Sequence, residues 1–186
     1  MWDLTVPGNN DHDFYVLPAS ANSGTHYQVD QAGVTAVLVH NCDNLSDIAD
    51  KVQGTLKDAR ASNSRTVGIM QASDGRMFAA NAGDSFTGAQ LRVLQAEGQK
   101  LGQQIVALPY IPGMEAEVQL MDYAARSLME STDAGLFSID PIMPEAIGTS
   151  RAICSDICRV AIENSEFPGL AGRILDDGRS AVFEPR

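Results

Sequence analysis

Two patterns of apolar and polar residues divide the chain. In the first 41 residues, clusters of turn-forming residues such as glycine, proline and asparagine separate four short runs, which is typical of short β-strands joined by turns: WDLTV, DFYVL, HYQV and VTAVLVHNC. From Leu45 to Ala59, apolar residues instead recur every three or four positions behind Asn44, which predicts a helix with an asparagine cap. The change predicts a β segment over residues 1–41 and a mixed α/β part over residues 42–186.

The second part alternates helix-like and strand-like patterns. The Ser73–Gly75 stretch lies between two apolar runs and predicts a β-hairpin. The whole pattern predicts a sheet of about five strands flanked by helices, because a sheet must bury its apolar faces against other elements. The predicted order is a helix, the hairpin, helices over 88–109 and after Gly113, a strand over 144–150, a helix over 154–165 and a strand pair around Asp177–Gly178.

Composition is that of a globular protein. The 186 residues are 44% hydrophobic, which is enough for a core, and no apolar run approaches the ~18 residues of a membrane span. The N-terminus lacks the basic region and apolar stretch of a signal peptide, so none is expected. A formal charge of −11 disfavours a broad nucleic-acid-binding face, although a local basic patch is compatible with an acidic body.

The histidines are concentrated in the first part. All three lie within residues 1–41, which contain no lysine or arginine, and the rest of the chain contains none. One of them, His40, precedes Asn41 and Cys42. An asparagine side chain can attack its own carbonyl and break the chain before the next residue, with a histidine protonating the leaving amine. The tripeptide alone leaves this reaction and an ordinary strand end both open.

The wider sequence around this junction resembles a known family. The stretches WDLTVPGNNDHDFYV and AVLVHNC are similar to the C-terminal blocks of Hint (hedgehog/intein-type) domains that precede toxin modules in bacterial polymorphic toxins. The resemblance implies that residues 1–41 are the remnant of an autoprocessing domain, that Asn41 cyclises with the help of His40, and that the toxin begins at Cys42. The nucleophile of a Hint domain lies near its start, which this chain lacks, so we expect no efficient self-cleavage.

Two further cysteines offer metal-ligand chemistry. Cys154 and Cys158 are four residues apart at the start of a predicted helix, so their side chains share one face. A helix N-terminus lowers the pKa of a thiol and favours the thiolate that binds metal. Two buried small side chains, or a disulfide with its demanding geometry, are the alternatives. The pair by itself leaves these three interpretations open, since two ligands do not make a metal site.

A pair of glutamates opens another predicted helix. Glu115 and Glu117 precede an apolar run, and side chains two apart on a helix point about 200° apart. Both reach one metal centre only at the extreme N-terminus of the helix, which makes Glu115 a residue of the cap region, and Pro112–Gly113 supplies such a start. Glu117 shares a face with the apolar residues Met121 and Ala124, so burial is expected to raise the pKa of its carboxyl group. A helix-dipole acid without catalytic role is the alternative.

These elements together resemble the deaminase toxin modules of the cytidine-deaminase-like superfamily. Zinc-dependent nucleobase deaminases open one helix with H-x-E and the next with C-x-x-C. EAEVQLMDYA and AIGTSRAICSDIC are similar to these two elements, and the resemblance covers about residues 44–186. It implies a three-layer α-β-α fold and a zinc ion (Zn²⁺) held by Glu115, Cys154 and Cys158, with Glu117 carrying protons. Two departures are Glu115 in place of the usual histidine and a C-x-x-x-C spacing.

The same resemblance implies a function and partners. The expected reaction is hydrolytic deamination of cytosine or adenine, in nucleic acid or nucleotide, by a bacterial toxin delivered into the cytoplasm of a target cell. A cognate immunity protein is an expected partner, and no membrane is. Asn81, Ser150 and Arg151 are expected to contact substrate. The alternatives are a degenerate, weakly active or inactive binding domain, because Glu115 replaces histidine, or a body that is only the cargo of the processing unit.

Overall fold

The computed structural model describes residues 14–16, 37–39, 42–56, 65–133, 140–154, 156–165 and 167–186. The chain divides into two compact units, residues 1–41 and residues 42–186. None of the helices in the described part of the chain combines the length and hydrophobicity of a membrane span.

The first unit contains an antiparallel strand pair. β1 (Phe14–Val16) pairs with β2 (Val37–Val39). Both strands lie in runs that the sequence predicts as strands. The two other predicted strands, around residues 2–6 and 26–29, lie outside the described residues, as do His40 and Asn41 of the expected cleavage junction.

The second unit is mixed α/β, as predicted. Its strands form one sheet in the order β5-β4-β3-β6-β8-β7, in which β4 and β5 are parallel and the other neighbours antiparallel. Within the described residues it has four helices and six strands: α1 (Cys42–Gln53), β3 (Val67–Ala72), β4 (Met77–Asn81), α2 (Gly88–Lys100), β5 (Ile105–Ala107), α3 (Ala116–Asp133), β6 (Pro144–Thr149), α4 (Ile157–Glu163), β7 (Leu170–Ile174) and β8 (Ser180–Pro185).

The sheet has six strands, whereas the sequence predicts about five. The segment 88–109 is not one helix, because α2 ends at Lys100 and the chain turns back through Gly102 at φ +69°. A side chain at Gly98 would lie 2.6 Å from the carbonyl oxygen of Gln103, so glycine permits this close return. The apolar residues that follow pair with β4 as β5 and do not extend the helix.

Two helix starts also differ from prediction. α1 begins at Cys42, so Asn44 lies inside its first turn and not at a cap. α4 begins at Ile157, which leaves Cys154 in the segment before the helix. The Cys154 carbonyl accepts a hydrogen bond from the backbone N–H of Arg159, five residues on, so the backbone around Cys154 does not follow the helical i to i+4 pattern.

The core consists of two clusters on opposite faces of the central strand. Val67 and Ile69 of β3 pack in a cluster with residues of α1 and α2, whereas Met70 and Ala72 pack in a cluster with residues of α3 and α4. Successive strand residues point to opposite faces, which explains the alternation. The predicted helical face that carries Met121 and Ala124 is confirmed, since both are buried in the second cluster.

Candidate functional site

Two predicted substrate residues meet at one end of the sheet. Asn81, the last residue of β4, is the register partner of Val67 at the start of β3. On the other side of Val67, the backbone N–H of Ser150 donates to the Val67 carbonyl at 2.9 Å, and the Val67 N–H donates to Ser150 Oγ at 2.9 Å. Asn81 and Ser150 therefore flank the same residue.

The first turns of α3 lie against this end of the sheet. A Cβ atom at Gly68, next to Val67, would lie 3.3 Å from the Cβ of Ala116 and 3.0 Å from Cδ1 of Leu120. The missing side chain lets the helix approach the strand closely. The start of α3 thereby lies against β3, the strand that is flanked by Asn81 and Ser150.

The two glutamates occupy different surroundings. The Glu115 carbonyl accepts the first helical hydrogen bond, from the Gln119 N–H at 3.0 Å, so Glu115 is the cap residue, as predicted. Its side chain is exposed, whereas Glu117 in the first turn is only 2% exposed. The second glutamate thus enters the interior and the first stays at the surface.

Burial dominates the electrostatics of Glu117. The pKa of its carboxyl group is raised to about 7: loss of water is the largest cause, a hydrogen bond from its own backbone N–H acts in the opposite direction, and the negative charge of Glu115 adds to the increase. Its Oε2 atom is buried and has no hydrogen-bond partner among the described residues. A carboxyl group of this pKa exchanges a proton readily near neutral pH.

Two amide side chains, on β4 and on α3, are also buried. Asn81 and Gln119 are each 2% exposed. Gln119 Nε2 donates to the Met114 carbonyl at 2.8 Å and to the Asn81 carbonyl at 3.4 Å. In the described part of the chain, both polar side-chain atoms of Asn81 and the Oε1 atom of Gln119 have no partner.

Gln119 is a buried polar residue that the sequence pattern did not predict as part of the site. The available signal was a glutamine between Val118 and Leu120, inside a run predicted to be buried. A buried polar side chain needs hydrogen bonds, but the carbonyl groups that receive them lie in a preceding turn and in a distant strand. Only the fold brings those carbonyls within reach.

The two cysteines of the predicted metal site are joined as a disulfide. Their Cα atoms are 5.3 Å apart, and the Cys158 N–H donates to Cys154 Sγ at 3.1 Å. Cys154 is exposed, whereas Cys158 is fully buried in the cluster that contains Ala116 and Leu120 of α3. The bond is compatible with the backbone because Cys154 precedes α4 and does not lie within a regular helix.

In this disulfide form, the predicted donor set does not fit a zinc ion. A sulfur atom in a disulfide is not a thiolate, and Glu115 is an exposed side chain. Over the described ranges, no group of three or more histidine, cysteine, aspartate or glutamate residues gathers in a way that could hold a metal. Zinc binding by Glu115, Cys154 and Cys158 stays a prediction for the reduced protein.

The remaining predicted residues have defined surroundings. Ser150 Oγ is an acceptor for β3, and the Arg151 carbonyl accepts from Thr149 Oγ1 at 2.5 Å. Both residues lie where the chain leaves β6 towards the cysteine segment. The role of Cys42 at the junction stays a prediction, and its backbone begins α1.

A groove of about 700 Å³ lies elsewhere in the unit, between α2 and β5. It is lined by Leu91, Leu94, Gln103, Ile105 and neighbouring residues, and none of the predicted site residues takes part. The groove therefore adds nothing to the chemistry of Glu117.

Comparison of the chain with protein-family models, with curated proteins and with solved structures gives no match. The chemistry of the end of the sheet is therefore the basis for a proposed function.

Proposed function

We propose that residues 42–186 hydrolytically deaminate a nucleobase, cytosine or adenine in nucleic acid or nucleotide. The observation that supports this most directly is Glu117, a buried carboxyl group with an unpartnered Oε2 atom at the start of a helix. Its pKa of about 7 suits a group that both accepts and donates a proton. The proposal includes a three-layer deaminase-like fold. The helices that pack against opposite faces of β3 support this part of the proposal.

Glu117 is the proton carrier of the proposed reaction. Water adds to the ring carbon that bears the amino group, and Glu117 takes one proton from the water and delivers it to the adjacent ring nitrogen. The remaining hydroxyl proton passes through Glu117 to the amino group. The carbon–nitrogen bond then breaks, ammonia leaves, and the carbon keeps its oxygen as a carbonyl. General acid–base catalysis of this kind contributes about 10²- to 10⁴-fold.

Zinc binding is proposed only for the protein in which the disulfide between Cys154 and Cys158 is reduced. Reduction gives Cys154 and Cys158 thiol groups, and Glu115 is the third expected ligand. A carboxylate ligand is chemically acceptable to zinc, but it adds negative charge and leaves the metal a weaker Lewis acid. Asn81, Ser150 and Arg151 are the proposed substrate contacts, and their position at the end of the sheet that α3 covers supports this assignment.

A second candidate is a deaminase-like domain that binds its ligand without catalysis. Two observations favour it: Glu115 stands at the position that the family motif fills with histidine, and both cysteines are consumed by a disulfide. Such a domain would keep the buried amide side chains of Asn81 and Gln119, but it would not activate a water molecule for attack on the nucleobase.

The biological setting of the proposal is a polymorphic toxin. Residues 1–41 are proposed as the Hint remnant, with release after Asn41 assisted by His40 and leaving Cys42 at the new terminus. The toxin would be delivered into a target cell, act in its cytoplasm and be neutralised in the producer by an immunity protein.

The test combines metal content with ammonia release. We expect reduced wild-type protein to bind zinc and to release ammonia from cytosine- or adenine-containing substrates, Glu117→Gln to lose about 10²-fold or more of that rate, and Glu115→His to raise both zinc content and rate. Glu130→Gln, at an exposed position of the same helix, is the matched control.

Three results separate the candidates. Ammonia release that survives Glu117→Gln removes Glu117 from the mechanism. A Glu115→His variant that gains neither zinc nor rate contradicts the placement of the metal. Ligand binding without ammonia release by any variant supports the second candidate.

A further inference from the structure

We propose that Gln119 is a positioning residue, which clamps the strand end that carries Asn81 to the turn that presents Glu115 and Glu117. The proposal rests on the proposed function for its catalytic consequence, whereas the clamp itself is measurable without it. Gln119 is a buried side chain that is hydrogen-bonded to both segments.

The orientation of the Gln119 amide follows from its neighbours. Both groups that it contacts, the carbonyls of Met114 and Asn81, are acceptors only. Only the NH₂ end of the amide can face two carbonyl oxygens, so its two protons are assigned and Oε1 points away from both. The side chain therefore holds one orientation and does not exchange between two.

The two clamped segments carry the residues of the site. Met114 directly precedes the acidic pair, and Asn81 ends β4 beside Val67. The backbone N–H of Gln119 also donates to the Glu115 carbonyl at 3.0 Å. Gln119 thus makes three hydrogen bonds, each to a backbone carbonyl at or within one residue of a site residue.

A purely structural role would not require a polar side chain here. Gln119 lies between Val118 and Leu120, and burying its amide leaves Oε1 unsatisfied within the described residues. Methionine has a similar volume and would fill the position without that cost in free energy. A need for the amide protons to hold the two segments together would explain why this position carries glutamine despite the free-energy cost of burying Oε1 without a partner.

The experiment compares Gln119→Met with Gln90→Met. Gln90 is also a fully buried glutamine in a helix, but its side chain completes the capping box of α2 with Thr87, and α2 packs in the other core cluster through Leu94. In Gln119→Met we expect faster hydrogen exchange confined to residues 79–82 and 114–119, because the carbonyls of Asn81 and Met114 lose this donor. Gln90→Met should leave both segments at wild-type exchange rates.

Kinetics then test the positioning role. We expect Gln119→Met to lower kcat for ammonia release about 10- to 100-fold with little change in KM, because misplacement of a reacting group by about 1 Å costs rate and not binding. Gln119→Glu adds a pH signature: its protonated form donates to one carbonyl and should recover part of kcat at low pH, whereas its ionised form repels both carbonyls.

Each outcome decides between the two proposals. Wild-type exchange at both segments in Gln119→Met overturns the clamp, whether or not the protein is a deaminase. Faster exchange with an unchanged kcat in an active protein overturns the positioning role. Absence of ammonia release from the wild type overturns the proposed function, and the exchange data still decide the clamp.

Discussion

At the scale of single residues, Glu117 is distinguished by what surrounds its carboxyl group. Water is excluded, no side chain in the described chain pairs with Oε2, and Glu115 adds a nearby negative charge. Each of these favours the protonated form, which explains a pKa of about 7. When the carboxyl group is ionised, the same surroundings impose a free-energy cost on the folded state.

This cost predicts a stability that depends on pH. Because the pKa of Glu117 is raised from its ordinary 4.5 to about 7 on folding, its favourable contribution is complete below pH 4.5 and is lost as pH rises through about 7. The full difference corresponds to about 3 kcal/mol. Relative to wild type, Glu117→Gln should therefore gain about this free energy of unfolding between pH 4.5 and 8.

Urea unfolding at both pH values measures the effect. Glu130→Gln is the control, since Glu130 is exposed on the same helix and its replacement leaves the buried carboxyl group of Glu117 in place. A Glu117→Gln difference from wild type that is the same at both pH values would contradict the assigned burial of the carboxyl group.

At the scale of elements, close backbone approaches hold the unit together. α1 packs on β3, β6 and β8, and the tightest point is Gly148 of β6, where a Cβ would collide with the backbone of Leu45 and Ser46. Ser46 Oγ and Ser180 Oγ are 3.0 Å apart, which ties the same helix to β8. The position of α1 thus depends on glycine in the neighbouring strand.

The close contact predicts a large effect of one methyl group. Gly148→Ala should lower the free energy of unfolding by about 3 kcal/mol, because rigid backbone and not a flexible side chain must move. Gly88→Ala, at the start of α2 with its nearest atom 3.7 Å away on Arg92, should leave stability unchanged or slightly raised. Thermal unfolding of both variants tests this, and equal melting temperatures would contradict the α1–β6 packing.

The elements were predictable to different degrees. Turn chemistry identified the hairpin around Gly75, at φ +87°, and the strand pair around Gly178, at φ +65°, because glycine adopts these angles without strain. β5 was missed, since a three-residue apolar strand after a helix has the same short-range pattern as the end of that helix. Its identity depends on pairing with β4, which no local pattern contains.

At the scale of the whole molecule, the chain divides into two units, and the boundary between them in the sequence lies between Asn41 and Cys42. α1 starts directly at this boundary and buries Leu45, Ile48, Ala49 and Val52 in the core of the second unit. The first element after the boundary therefore belongs to the folding unit of residues 42–186.

This organisation predicts different outcomes for two deletions. A chain of residues 42–186 should fold with a melting temperature close to that of the same unit in the full chain, whereas removal of residues 42–56 as well should abolish cooperative unfolding, because it uncovers the apolar face that α1 buries. Circular dichroism on heating checks both. A cooperative transition in the shorter chain would show that α1 is dispensable.

The sequence by itself determined the elements that rest on local chemistry: the hairpin, the long helix behind Pro112–Gly113, the placement of Glu115 as its cap residue, and the apolar face shared by Glu117 and Met121. These follow from turn residues and from helical periodicity, which act over a few positions. The roles of metal, substrate and junction residues stay predictions.

Tertiary structure alone decided which distant residues meet. The order of the strands, the approach of α3 to Gly68 and the hydrogen bond from Gln119 to the Asn81 carbonyl join positions that are distant in the sequence. Burial then set the chemistry, because the pKa of Glu117 depends on how much water its neighbours exclude, and those neighbours come together only when the sheet and its helices assemble.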